Sequence, residues 1–141
     1  EEESNSSRDH LIYHLSKWIK NQKVEVRSKV QNKGGTMRLG AYPAKINKGT
    51  MAFSIYKNEL VSERHRHRFE VNIRFQEALE KSGLTFSGFS QDGTLPEIVE
   101  LSTHPFFLGV QFHPELKSKP FEPHPIFSIF VKKALEQTRL V

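Results

Sequence analysis

The chain contains no cysteine. Disulfides, thiolate metal sites and a cysteine nucleophile are therefore excluded within these 141 residues. It also lacks any apolar run near the ~20 residues needed to span a bilayer, so no membrane partner is expected. The acidic, serine-rich start EEESNSS has no hydrophobic stretch and does not read as a signal peptide, which favours a cytoplasmic protein. There is no P-loop, because the lysine and following hydroxyl of that motif are absent. No helix-turn-helix, zinc pattern or aromatic-interleaved basic groove is present, so nucleic acid is not an expected partner. Acidic residues are the scarcer charge, 16 against 21 Lys and Arg, giving a net charge of +5. Such a balance suits phosphate-bearing ligands or an acidic protein surface.

What remains suits one domain or a large piece of one. Residues 1–9 read as a flexible tail and residues 10–141 as the folded part. Ile12, Leu15 and Ile19 fit either a short helix or a strand. Val24 and Val26 alternate with charged residues, as in a strand. Asn32 to Gly35 is a loop, and Met37 to Ile46 a strand with Pro43 at an edge or bulge. Gly49 to Tyr56 holds a helical turn, and Val61 to Val71 one strand. A helix follows, with Asn72 as N-cap, an apolar stripe of Phe75, Ala78 and Leu79, and Gly83 just past its end. The turn at residues 91–94 separates Leu84–Phe89 from Pro96–Leu101 as a hairpin. Phe106 to Phe112 is a further strand. The last helix starts at Pro125 and is expected to bury Ile126, Ile129, Phe130 and Ala134.

Three segments carry candidate chemistry. In GVQFHPE, His113 and Glu115 lie two apart, so on an extended chain both face one site. Histidine is a ready general base near neutral pH, and a carboxylate can fix its tautomer. The plain alternative is a histidine capping backbone groups beside an exposed glutamate. In Arg64-His65-Arg66-His67-Arg68, a strand puts three arginines on one face and two histidines on the other. The arginines suit carboxylate or phosphate recognition, or pair with nearby Glu63, Glu70 or Glu97. Two histidines fall short of the three or four ligands of a metal site, so no metal is expected. GGTMRLG, with Thr36 and Arg38, reads as a lid, an anion-binding loop or a bulged turn.

GGTMRLG, SERHRHRFEVN and HPFFLGVQFHPELKSKP, in this order, resemble the glutamine amidotransferase domain of CTP synthase. VEVRS before them and HPIFSIFVKKAL after them extend the likeness to about residues 10–138. The resemblance implies an α/β fold of the class I glutamine amidotransferase type, flavodoxin-like and three-layered, here incomplete and with an antiparallel hairpin portion. It implies ATP-dependent amination of UTP to CTP, using ammonia released from glutamine by a Cys-His-Glu glutaminase. ATP and magnesium serve the full-length enzyme, GTP activates it, and it is expected to be a homo-oligomer. His113 and Glu115 fall on the family's catalytic histidine and glutamate, and Arg68 on a residue that binds glutamine. Thr36 and Arg38 fall on a lid implicated in the response to GTP. The family's cysteine elbow and amino-terminal synthetase domain are expected outside this chain, leaving it inactive alone. A different reading is a non-catalytic module that binds a nucleotide or partner through Arg38, Arg64, Arg66 and Arg68.

Overall fold

The computed structural model describes residues 10–14, 17–20, 23–26 and 37–138. The expected tail, Leu15, the loop at residues 32–35 and Thr36 lie outside the described residues. The elements are β1 (Ile12–His14), β2 (Lys17–Lys20), β3 (Lys23–Val26), β4 (Arg38–Ile46), α1 (Met51–Tyr56), β5 (Leu60–His67) and β6 (Phe69–Val71), followed by α2 (Gln76–Lys81), β7 (Leu84–Ser90), β8 (Pro96–Leu101), β9 (Leu108–Val110) and α3 (Pro125–Thr138). Among the described residues no helix is long and apolar enough to cross a membrane.

The segment that fitted helix or strand forms two strands. β1 pairs with β6 and β2 with β3, both antiparallel. The other strands form one antiparallel sheet in the order β5-β4-β7-β8-β9. β4 is its longest member, between β5 and β7, and Pro43 lies just beyond the Ala44–Ile46 stretch that pairs with β7, where no ladder bond is lost. Gly40 takes φ 97° within β4, a backbone state that favours glycine. Gly88 meets β8 too closely for a side chain, since an added Cβ would stand 2.8 Å from Ile98 Cγ1.

The sheet is rolled. β5 and β9 are its opposite edges, yet His113, three residues after β9, donates its backbone N–H to Arg64 O on β5 at 2.8 Å. Three residues reach at most about 10 Å, so the two edges must approach that closely. Phe112, 3% exposed, fills the gap and joins Ile46, Ala52, Ile55, Ile98 and Ile126 in the core. Burying such a ring contributes about 1.5–3 kcal/mol, which helps hold the crossing chain in place.

Three expectations need correction. The single strand over Val61–Val71 breaks at Arg68, because β6 leaves the sheet to pair with β1. The strand over Phe106–Phe112 shrinks to Leu108–Val110, since the chain must leave β8 to reach β5. α3 starts at Pro125 as expected and buries Ile126, but Phe130 is 54% exposed and Ala134 is also exposed. The stripe that meets the core is narrower than the apolar pattern, and Val131 and Leu135 share the uncovered side.

Candidate functional site

β5 organises the site. Its side chains alternate: Glu63 and His65 point inward and are buried, whereas Arg64 and Arg66 are exposed. Its backbone alternates too. Ile46 N bonds Glu59 O, so odd-numbered residues of β5 face β4, and the carbonyls of Ser62 and Arg64 face outward from the sheet edge. The chain after β9 docks on that edge.

There, Pro114 opens a 3-10 turn over Pro114–Leu116, with His113 immediately before it. The turn, not an extended strand, brings the pair together. His113 Nδ1 lies 2.7 Å from Glu115 Oε1. A hydrogen bond from its own backbone amide, then the His113 imidazole, holds the Glu115 carboxyl below the usual range, with Arg66 adding to the effect. An ionised Glu115 accepts from Nδ1–H, which leaves Nε2 to take and give protons. His113 is partly exposed and Glu115 more so, so the pair opens outward.

Arg68 sits at the bend between β5 and β6, half-buried and apart from the exposed face of Arg64 and Arg66. It lies four residues beyond the carbonyl that holds His113, about 13 Å of extended chain. Arg38 is elsewhere. It is 3% exposed on β4, with Nη1 3.1 Å from Glu70 and Nη2 2.7 Å from Glu97, and its guanidinium lies over the Tyr42 ring at 4.7 Å. It therefore does not join the exposed arginines in one anion pocket. Glu70 and Glu97, read from sequence as partners for the β5 arginines, serve Arg38 instead.

The network around Arg38 is the part of the site that sequence reading missed. His67 Nδ1 lies 3.0 Å from Phe69 O, a pure acceptor, so its hydrogen is on Nδ1. His67 Nε2 then accepts from His65 Nδ1–H at 2.8 Å. Both rings are neutral. Burial, then the positive charge of Arg38, pushes His65 down to about 2 and His67 to about 4. Burial pushes Glu70 up to about 7 despite Arg38, and Glu97 also upward. Among the described residues no group of three or more His, Cys, Asp or Glu is arranged to hold a metal ion.

The His67 shift has a testable sign. A histidine depressed in the fold contributes stability above its unfolded pKa, about 6.5, and that stability is lost as pH falls through the folded value. His67→Asn removes this loss. Relative to the native chain, the variant should gain stability between pH 7 and pH 5, measured by urea unfolding. An unchanged difference would mean that His67 is charged in the fold.

Comparisons with known proteins agree with this architecture. The family profile described as Glutamine amidotransferase class-I matches residues 12–133. A CTP synthase of Cereibacter sphaeroides is 57% identical over 131 residues, covering 93% of this chain and 24% of the relative. A CTP synthase of Zymomonas mobilis is 56% identical over 135 residues, covering 96% of this chain and 25% of the relative. The chain thus spans about a quarter of the length of the curated relatives it matches. A solved structure described as Trypanosoma brucei CTPS, glutaminase domain with bound acivicin, superposes with a TM-score of 0.68 at 41% identity, covering 75% of this chain and 43% of that one. The fold is the class I glutamine amidotransferase type, in its mixed α/β form with a curled antiparallel sheet, and the chain belongs to the class I glutamine amidotransferase family, aligning with the glutaminase portion of CTP synthases.

Proposed function

We propose that this chain supplies the His-Glu half of a glutaminase site within a CTP synthase, an enzyme that aminates UTP to CTP with glutamine-derived ammonia. The observation that carries the reading is the 2.7 Å bond between His113 Nδ1 and Glu115, made by a turn clamped to β5. A thiolate attacks the glutamine side-chain carbonyl, and His113 Nε2–H protonates the departing ammonia. The imidazole then takes a proton from the water that cleaves the thioester, releasing glutamate and restoring the thiolate. Glu115 keeps Nδ1–H fixed throughout. Arg68 holds the substrate's α-carboxylate. This chain has no sulfur nucleophile, so the thiolate comes from a cysteine-bearing portion of the enzyme, and the chain alone is inactive.

ATP and magnesium belong, in this reading, to the synthetase portion, and no step here runs through them. Thr36 and Arg38 are assigned to the response to GTP. Arg38, enclosed between two carboxyls, acts there by holding its strand and does not touch the nucleotide. The full enzyme is read as a homo-oligomer. Mixing this chain with the cysteine-bearing portion should produce glutamine hydrolysis that neither part shows alone, measured as ammonia release. The exposed Arg64 and Arg66 support a second reading, a non-catalytic anion-binding module. GTP or UTP binding in calorimetry, without activity on mixing, would favour it.

A further inference from the structure

The turn carrying His113 and Glu115 is fastened to β5 at a second point. Lys117 Nζ donates to Ser62 O at 2.6 Å and to Glu63 Oε1 at 3.1 Å. His113 N–H and the Lys117 ammonium therefore cover two successive outward carbonyls of the edge strand, Arg64 O and Ser62 O. Between these points the backbone closes on itself. Leu116 N bonds His113 O at 3.0 Å, and Lys117 N and Ser118 N bond Pro114 O at 3.0 and 3.1 Å. A displacement of Lys117 is thus passed directly to His113.

Glu63 makes the lysine matter more than an ordinary surface cation. The carboxylate is fully buried, and its Oε1 also accepts from Tyr56 Oη at 3.0 Å and from His124 Nε2 at 2.9 Å. Against the cost of burial, the bonds from His124 and Lys117 hold Glu63 below the usual carboxylate range. His124 Nε2 donates to the same oxygen, while its Nδ1 lies 3.3 Å from the Ile126 N–H. Among the described residues Lys117 is the one lysine or arginine bonded to this carboxylate. A buried carboxylate stripped of its cation is strongly unfavourable, so the lysine is held where it is.

We propose that Lys117, anchored by Glu63, is a positioning residue for the His113–Glu115 pair. The proposal rests on the glutaminase reading above. A misplacement of about 1 Å at the reacting groups costs up to about 10²-fold in rate. For Lys117→Met, with the chain mixed with the cysteine-bearing portion, kcat should fall about tenfold while KM stays within about twofold. Lys117→Arg should restore most of the loss, since it keeps the charge and can still reach Ser62 O.

A second readout needs no activity. In nitrogen-detected NMR of the chain, the His113 Nδ1–H signal, held by Glu115, should be lost to water exchange in Lys117→Met and kept in Lys117→Arg. Should Lys117→Met fail to fold, Glu63→Gln/Lys117→Met, which buries no charge, takes its place in both measurements. An active mixture in which the variant matches the native chain in kcat and in this signal overturns the proposal. An inactive native mixture overturns the glutaminase reading instead, and the NMR comparison alone then decides whether Lys117 positions the pair.

Discussion

Replacing His113 by asparagine should lower glutamine hydrolysis by the assembled site about 10³-fold, with little change in KM. Asparagine is close in shape and can still donate to Glu115, so the turn and its bonds to β5 survive. What it cannot do is pass a proton. General acid–base catalysis is worth about 10²–10⁴-fold, and here one imidazole serves both the departing ammonia and the incoming water. Glu115→Gln should cost less, because an amide still accepts the Nδ1–H bond while losing the charge that steadies the imidazolium. A loss below tenfold for His113→Asn, measured by ammonia release from the mixed portions, would remove His113 from the chemistry.

The largest effect on stability is expected at Arg38. Methionine there keeps much of the volume but removes the charge between Glu70 and Glu97. Both carboxyls are about 1% exposed, and each also has an oxygen without a hydrogen-bond partner. Breaking a buried ion pair by removing one partner costs about 3–5 kcal/mol. The midpoint of urea unfolding at pH 7 should drop accordingly. Because Glu70 is raised to about 7, part of the damage is relieved in acid, where the carboxyl takes up a proton. Its raised value gives stability that is fully present below the unfolded pKa of about 4.3 and lost as pH rises through 7. Arg38 lowers this value, so without it Glu70 rises further and the variant goes on losing stability above pH 7, where the native chain no longer does; the deficit of Arg38→Met should therefore be smaller at pH 5 than at pH 7.5. A deficit under 1 kcal/mol at pH 7 would show that the two carboxyls do not depend on Arg38.

The sequence made some of this legible and hid the rest for physical reasons. The α3 start was readable because proline at a first helical position needs no N–H. The hairpin of β7 and β8 followed from equally local chemistry, whereas Asn72 caps a 3-10 turn, Ile73–Phe75, that leads into α2 and not α2 itself. The alternation of His65 and His67 against Arg64 and Arg66 came from the period of a strand. Its break at Arg68 did not, because it depends on β1, far away in the chain. The destination of Arg38 was hidden for the same reason: Glu70 and Glu97 are 32 and 59 residues distant. The available hint was a glutamate at an inward phase of a strand, as at Glu63, since a charge placed there demands a partner. His113 and Glu115 were correctly put side by side, but by an extended chain instead of the turn that Pro114 begins.

One strand bears on every part of this site, with consequences for how such a sequence can drift. β5 offers its outer carbonyls to His113 and Lys117, its inner side chains to the buried charges, and its end to the Arg68 bend. Substitutions at Leu60 or Ser62, both exposed, disturb none of these. Loss or gain of a single residue disturbs all of them together, because a shift of one turns Glu63 and His65 to water and drives Arg64 and Arg66 inside. Length in this stretch is thus under far tighter restraint than identity. Point changes accumulate singly here, whereas a one-codon deletion would abolish fold and site in one step.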